Sequence, residues 1–251
     1  LKSGKNSRRT FMLAAAAIIL LAGIVGVINV FNHTAVEQLE LTAGNAVLED
    51  KLSDGTLVSL NENSMLTYPE KFDQNERRVK LLGEAFFDVE RDEAKPFIID
   101  LHNDFYVKVL GTSFNINADD QDSITTVYVK SGKVEFGSAN NKVTLVAGEK
   151  GIMNNSTGKV EKITVEFGNF KELYWKSEEL DFDHVDLDET LKILEAVFDS
   201  DIHLKCEAKM NAQVVSHHEH ESLDEILDVI ASVHQLKIVK TESIYQLECA
   251  D

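Results

Sequence analysis

The side chains best suited to chemistry in this chain are the imidazoles of a short histidine-rich segment, residues 217–220 (HHEH). Side chains two residues apart on a β-strand lie on the same face, so His218 and His220 would face the same way. A 36-residue repeat, described below, makes His184 the counterpart of His220. Three histidines on one face could bind zinc, but a structural zinc site usually has four protein ligands. We therefore predict a solvated strand edge and no metal site. A zinc site formed by the trio His184, His218 and His220 is the alternative.

The chain has two cysteines, Cys206 and Cys249. A disulfide between them is chemically permitted if they lie in an oxidising compartment. Each could equally be a small buried residue, because free cysteine behaves as a small apolar side chain. The pair is a disulfide candidate, and the sequence leaves both alternatives open.

Two further segments contain residue types that occur in catalytic or ion-binding sites. Ser113 lies in Gly-Thr-Ser-Phe-Asn, which lacks the second glycine of a nucleophile elbow. Residues 119–122 (DDQD) lack the central glycine and the closing glutamate of a calcium loop, which favours a solvated turn. We therefore predict neither a catalytic site nor a cofactor, and we expect a protein that is not an enzyme.

The charge distribution divides the chain into a basic start and an acidic remainder. The first ten residues contain four basic and no acidic side chains, whereas the whole chain of 251 residues has a net charge of −18. The remainder is therefore strongly acidic, and such a surface repels phosphate backbones. We expect no nucleic-acid binding by this acidic part.

A continuous apolar segment, Phe11–Val30, follows the basic start. As an α-helix it would span roughly 30 Å, the thickness of a bilayer's hydrocarbon core. The basic flank should stay in the cytoplasm, so the rest of the chain would lie outside it. That flank consists of Lys2, Lys5, Arg8 and Arg9. A cleaved signal peptide is the alternative, but its apolar stretch is usually shorter.

These features predict a single-pass membrane protein with a cytoplasmic N-terminus and its bulk outside the cytoplasm. We place a cytoplasmic stub at residues 1–10, the transmembrane helix at 11–30 and a juxtamembrane linker at 31–40.

Residues 41–165 consist of short apolar runs that alternate with polar residues and are rich in β-branched and aromatic side chains. Glycine, asparagine or aspartate bounds the runs, which is typical of many short strands. Two of the runs, Arg78–Leu81 and Ala85–Val89, lie on either side of Gly83 and predict two strands. No helical period is visible, so we predict an all-β domain, built as a sandwich, barrel or short solenoid.

The segment 179–251 has a different rhythm and contains an internal repeat. The sequence Leu187-Asp188-Glu189-x-Leu191 reappears 36 residues later as Leu223-Asp224-Glu225-x-Leu227. Each copy begins with a pattern typical of a capping box, Asp186 with Glu189 and Ser222 with Glu225, and continues with apolar residues at helical spacing. Strand-like runs flank both helices. We predict a small α+β domain with a repeated β-α-β unit and one further strand, joined to the all-β domain by a linker at 166–178.

The all-β region resembles the FecR domain of bacterial cell-surface signalling. An ordered series of segments carries the resemblance: residues 52–61 (LSDGTLVSLN), 64–72 (SMLTYPEKF), 77–89 (RRVKLLGEAFFDV), 95–99 (KPFII) and 109–116 (VLGTSFNI). Residues 179–251 resemble the C-terminal module of FecR-like proteins of the Bacteroidetes. That module is itself similar to the short N-terminal domains of secretins and TonB-dependent receptors.

This resemblance implies a regulatory role. FecR-like proteins are single-pass anti-sigma factors that hold an extracytoplasmic-function sigma factor through a cytoplasmic N-terminal domain. Their periplasmic part binds the signalling domain of a TonB-dependent outer-membrane transporter, and site-1 and intramembrane proteases then release the sigma factor. The implied partners are therefore that transporter domain, the sigma factor, the two proteases and the membrane. The resemblance also implies that the membrane is the inner (cytoplasmic) one and that the bulk of the chain is periplasmic.

Ten residues precede the apolar segment, and the chain begins at Leu1, so we expect a fragment that lacks the sigma-binding domain. The sequence consequently indicates no sigma-binding residues. The alternative function is a structural or assembly module of the envelope that binds a transporter or a glycan without transcriptional control. A third is a secreted or anchored metalloenzyme that uses the histidine trio, although no general base is evident beside these ligands.

Overall fold

A computed structural model describes residues 37–119, 123–241 and 244–250, together with Leu20, Leu21 and Ile24. Apart from those three residues, the predicted segment Phe11–Val30 lies outside the described residues, as do the stub 1–10 and most of the linker 31–40. Among the residues that the structure describes, no helix is long and apolar enough to cross a membrane.

The first domain is built from thirteen strands within the described residues, and the predicted all-β domain is confirmed. Its strands are β1 (Gln38–Thr42), β2 (Leu48–Lys51), β3 (Leu57–Leu60), β4 (Met65–Pro69), β5 (Arg77–Asp88), β6 (Phe97–Asp100), β7 (Tyr106–Val109), β8 (Ser113–Ala118), β9 (Ile124–Ser131), β10 (Lys133–Gly137), β11 (Lys142–Val146), β12 (Glu149–Asn154) and β13 (Val160–Thr164). Strand β1 begins inside the predicted linker 31–40, because Leu39 and Leu41 alternate with polar residues and the strand pairs with β4.

The thirteen strands form two sheets that share β5. Sheet A has the order β1-β4-β5-β6-β7-β10-β11, and sheet B has the order β2-β3-β5-β8-β9-β12-β13. Apolar side chains from both sheets, among them Leu81, Phe87, Phe114 and Phe136, form one buried core. The result is a nearly closed two-layer β structure.

Strand β5 corrects the prediction of two separate strands around Gly83. The chain runs through Gly83 as one strand of 12 residues, whose first half pairs with β4 and β6 and whose second half pairs with β3 and β8. Gly83 has a φ of +91°, and a Cβ atom there would lie 2.5 Å from the Ser64 Oγ atom. Glycine therefore does not end the strand but lets it turn from one sheet into the other.

A buried ion pair lies where β5 begins. The Arg77 side chain is 2% exposed, and its Nη1 atom donates hydrogen bonds of 2.8 Å to Asp54 Oδ2 and to the Glu90 carbonyl oxygen. The Nε atom donates to the Lys95 carbonyl oxygen at 2.9 Å, and the guanidinium carbon lies 5.4 Å from the Phe97 ring centroid. This cluster joins the loop before β3 to the loop before β6.

The second domain is the predicted α+β domain. Its elements are β14 (Glu179–Asp186), α3 (Leu187–Phe198), β15 (Asp201–Leu204), β16 (Gln213–Glu219), α4 (Leu223–His234), β17 (Leu236–Thr241) and β18 (Ile244–Cys249). Strands β14 and β16 form an antiparallel ribbon, and a second sheet has the order β15-β18-β17. Both helices contribute buried leucine and isoleucine side chains to one core. The two helices before this domain, α1 (Gly168–Lys171) and α2 (Tyr174–Ser177), occupy the predicted linker 166–178.

The two copies of the repeat begin their helices differently. The capping box of α4 is present, since Ser222 and Glu225 exchange hydrogen bonds as predicted. The predicted box of Asp186 and Glu189 at α3 is wrong: the Asp186 side chain makes no capping hydrogen bond. Its carboxylate instead accepts a hydrogen bond from the side-chain amide of Gln213, its neighbour across the β14–β16 ribbon.

Candidate functional site at the junction of the two domains

The three histidines of the proposed trio do not form a metal site. His218 is buried, and its ring nitrogens lie 2.7 Å from Glu221 Oε2 and 2.9 Å from Ser216 Oγ. His184 and His220 are exposed, and each contacts a different carboxylate. Within the described part of the chain, no three histidine, cysteine, aspartate or glutamate side chains are placed to bind one metal ion.

His220 has a structural position that the repeat explains. His184 and His220 both have positive φ angles, 56° and 55°, so the repeat relates their backbone conformations. The backbone N–H of His220 donates to the Glu178 carbonyl oxygen at 3.0 Å, and the ring Nδ1 lies 2.9 Å from Glu178 Oε2. The hydrogen bond that the His220 imidazole donates to the Glu178 carboxylate raises the pKa of the imidazole. Because Glu178 ends α2, His220 attaches this helix to the ribbon of the second domain.

The other residues that the sequence singled out lie elsewhere. Cys206 and Cys249 form a disulfide that joins the chain after β15 to the end of β18. The Ser113 hydroxyl donates to Asp88 Oδ1 at 2.7 Å, on the neighbouring strand β5 of sheet B. Of the acidic segment 119–122, residues 120–122 lie outside the described residues.

A row of side chains crosses the outer face of sheet B, and several of its members contact α1, α2 or the residues between them. Its members are neighbours in register on seven successive strands, which we call the sheet-B row: Glu49, Ser59, Phe86, Asn115, Tyr128, Lys150 and Ile163. Side chains alternate along a strand, so these residues point away from the core that their neighbours Val58, Phe87 and Phe114 enter.

Polar contacts attach α1 and α2, which we call the junction helices, to the sheet-B row. Lys150 Nζ donates hydrogen bonds of 2.8 and 2.7 Å to the two carboxylate oxygens of Glu172, between the helices. The Tyr128 hydroxyl donates to Asn169 Oδ1 of α1 at 2.9 Å. Lys176 Nζ of α2 lies 2.9 Å from Glu49 Oε1. Each contact joins a different strand of sheet B to the helices, so they fix the helices along the row.

Lys176 affects two members of the row. Its hydrogen bond lowers the pKa of the Glu49 carboxyl group, and the Ser59 hydroxyl adds to this effect. The same ammonium lies 5.8 Å from the Phe86 ring centroid. A cation over a ring face is attracted by the ring quadrupole, so one lysine binds both a charged and an aromatic member of the row.

Aromatic contacts attach the same helices to the second domain. The Phe170 ring of α1 stacks on Phe182 of β14 at 6.2 Å between centroids. The Tyr174 ring of α2 meets Phe198 of α3 edge to face at 5.4 Å. Phe170 and Tyr174, together with Phe167, pack against the core of the second domain. The junction helices therefore contact both domains and connect sheet B with the core of the second domain.

A largely buried carboxylate lies next to the row. Glu84 Oε1 accepts a hydrogen bond of 2.7 Å from Asn115 Nδ2, and Oε2 accepts one of 2.8 Å from Asn61 Nδ2. Burial raises the pKa of the Glu84 carboxyl group, and the negative charge of Glu172 adds to this effect. The two amide hydrogen bonds and the charge of Lys150 act in the opposite direction.

We expect Glu84→Gln to raise the thermal unfolding midpoint at pH 8 by about 2–4 °C, which corresponds to about 1 kcal/mol for a chain of this size. A carboxyl group whose pKa is raised on folding contributes stability at low pH that is lost as the pH rises through the raised value. Glutamine imitates the protonated form, because its side chain has a similar shape and no charge. Calorimetry at several pH values measures the effect.

The gain should shrink as the pH falls towards 4.5, the ordinary value for this carboxyl group. The control is Glu62→Gln, since the Glu62 side chain is exposed one residue beyond Asn61. A Glu84→Gln protein that is less stable than the wild type at pH 8 would contradict the assignment of the raised pKa.

The junction was not predicted from the sequence, although a signal was present. Phe167, Phe170 and Tyr174 have the i, i+3, i+7 spacing of an amphipathic helix, and the only tryptophan of the chain, Trp175, follows them. The segment is too short for this period to stand out from a linker. The partners of its polar residues lie on strands remote in sequence, so no local pattern shows them.

Two family models match the chain and agree with the two domains. One is described as FecR protein and matches residues 39–135, and the other is described as FecR, C-terminal, and matches residues 179–245. No curated protein matches the chain significantly.

Two crystal structures of candidate anti-sigma factors from Parabacteroides distasonis ATCC 8503 are similar to this chain. The first is 31% identical, with a TM-score of 0.54, and the match covers 85% of this chain and 100% of the other. The second is 30% identical, with a TM-score of 0.55, and the match covers 86% and 100%. Because relatives at this identity are matched over their full length and both domains fit the family models, the chain belongs to the FecR family of anti-sigma factors.

Proposed function

We propose that this chain is a membrane-tethered anti-sigma factor that reports an event outside the cytoplasm to an extracytoplasmic-function sigma factor. Family membership supports a role in sigma-factor signalling and a sigma factor as partner. The apolar segment Phe11–Val30 after a basic flank supports a single-pass inner-membrane protein whose two domains lie in the periplasm.

The signal would come from a TonB-dependent outer-membrane transporter. Its periplasmic signalling domain docks on the two-domain part, and site-1 and intramembrane proteases then release the sigma factor. The observation that carries this proposal is the helical junction: α1 and α2 are bonded to sheet B and packed against the second domain. A docking event on the second domain can therefore reach the first domain, which directly follows the membrane segment.

The second domain has a charge that suits a basic protein partner. Residues 179–251 contain eighteen acidic and five basic side chains. Such a surface attracts a partner of opposite charge and speeds its encounter, whereas nucleic acid would be repelled. A binding role of this kind needs no catalytic residues, and we propose that the chain acts as a regulator and not as an enzyme.

The test is binding of the full chain in detergent to purified N-terminal signalling domains of TonB-dependent transporters from the same genome, measured by biolayer interferometry. We expect at least one domain to bind, and its association rate to fall as salt is raised, since screening weakens attraction between opposite charges.

The control is the same transporter without its signalling domain, which should not bind. If no signalling domain from the genome binds, the transporter relay is rejected. The alternative envelope module would bind a transporter equally well, but deletion of the gene would then leave the transcription of sigma-dependent promoters unchanged.

A further inference from the structure

The two faces of the helical junction differ in chemistry. Towards the second domain the contacts are aromatic, and Phe167, Phe170 and Tyr174 pack against its core. Towards sheet B the contacts are mainly hydrogen bonds and ion pairs, made by Asn169, Glu172 and Lys176 as described above. In the part of the chain that the structure describes, no apolar side chain of α1 or α2 packs against the core between the sheets. The junction helices are therefore joined to the second domain as part of its core and to the first domain only through its surface.

These two kinds of contact respond differently to separation. Apolar rings that leave a core lose favourable burial and form no hydrogen bonds with water in exchange. Separated polar and charged groups can form hydrogen bonds with water instead. The sheet-B side is also incompletely packed, since a cleft of about 370 Å³ opens between Phe86 and Lys130 of sheet B and Phe170 and Tyr174 of the helices. If the domains separate, the break should run between the helices and sheet B.

We propose that the sheet-B row is a reversible docking platform, and that α1, α2 and the second domain leave it together as one rigid body. The Lys150–Glu172 pair holds this body on the platform. We call the docked arrangement the closed state and the separated arrangement the open state. Its two side chains are only 18% and 11% exposed, so this contact is less screened by solvent than the exposed pairs of the molecule.

The closed state is the resting state because separation also uncovers aromatic surface. Phe86 and Tyr128 are 8% and 3% exposed although neither belongs to the core between the sheets. Phe86 lines the cleft beside α1 and α2, and Tyr128 binds Asn169 of α1. In the open state these two rings and the surrounding polar row would face solvent. This proposal concerns the mechanics of the chain and does not depend on which partner sends the signal.

The test combines two readouts on the full chain in detergent. Trp175 is the only tryptophan, it lies in α2, and its indole nitrogen is buried without a partner among the described residues. Its emission maximum and its quenching by acrylamide therefore report on the access of solvent to α2. Spin labels on cysteines introduced at the exposed sites Glu62 and Ser232, one in each domain, report the interdomain distance by pulsed dipolar spectroscopy.

Lys150→Glu and Glu172→Lys should each raise the open population about tenfold or more, because each places like charges where an ion pair was partly buried. We expect stronger quenching, a red-shifted emission and a longer mean label distance. The double variant Lys150→Glu with Glu172→Lys should restore the closed values. As a matched control, the same reversal of the exposed pair Lys159–Glu161 should change neither readout.

Unchanged distance and quenching in both single variants would overturn the proposal, as would a charge-swapped double variant that stays open. Circular dichroism identifies any variant that unfolds. For that case the milder combination of Glu172→Gln, Tyr128→Phe and Lys176→Met removes the negative charge from the first contact and abolishes the other two, without reversing a charge. It should open the junction while the secondary structure stays unchanged, and a closed junction in this variant would also overturn the proposal.

Discussion

Replacing Cys206 and Cys249 together by alanine is expected to lower the free energy of unfolding of the second domain by about 4 kcal/mol. The disulfide joins residues that are 43 positions apart, and a loop of this length gives a large loss of entropy in the unfolded chain. Because the second domain is small, it buries little surface, and its free energy of unfolding is too low to absorb this loss. We expect the variant to be partly unfolded at 37 °C.

Urea denaturation followed by circular dichroism measures this loss. The wild-type protein treated with a thiol reductant should lose the same amount, whereas the double alanine variant should be insensitive to the reductant. The transition of the first domain serves as an internal control and should not move. Equal urea midpoints for the oxidised wild type and the variant would show that the bond contributes nothing to stability.

Arg77→Met should destabilise the first domain by about 3–5 kcal/mol. The substitution leaves the Asp54 carboxylate, which is 10% exposed, without its guanidinium partner. The carbonyl oxygens of Glu90 and Lys95 lose a donor as well. A buried charge that loses its partner costs far more than the pair contributed when intact.

The neighbouring arginine is the matched control. Arg78 is 48% exposed and pairs with Glu76 and Asp100 on the surface. Arg78→Met should therefore cost less than about 1 kcal/mol. If thermal or urea unfolding shows the two variants to be equally stable, the burial of the Arg77–Asp54 pair does not determine how much the pair contributes to the stability of the domain.

The parts of the fold that were predictable are those with a strong local pattern. The alternating strands and the repeated helices follow from the spacing of apolar residues, and the cap at Ser222 follows from its partner three residues later. The predicted cap at Asp186 is wrong because the carboxylate instead accepts a hydrogen bond from Gln213, which is 27 residues away. A local rule cannot include such a competitor.

The errors at Gly83 and at the junction have a related cause. Glycine in a run of strand residues is compatible with a break or with a bend, and only the four neighbours of β5 decide between them. Likewise, Lys150 and Glu172 have unremarkable sequence surroundings and become partners only when sheet B is assembled. The candidate site consists of such long-range contacts, so it was less predictable than the elements that support it.

Strand β5 also determines where the chain can tolerate a change in length. Because it pairs with β3, β4, β6 and β8, one inserted or deleted residue would shift the alignment with several strands at once. On the shifted side, core positions such as Val79 and Leu81 would be taken by neighbours such as Lys80. A loop such as the one between β10 and β11 carries no such constraint. Insertions for labels or affinity tags therefore belong in the loops, and β5 is the segment whose length must be kept.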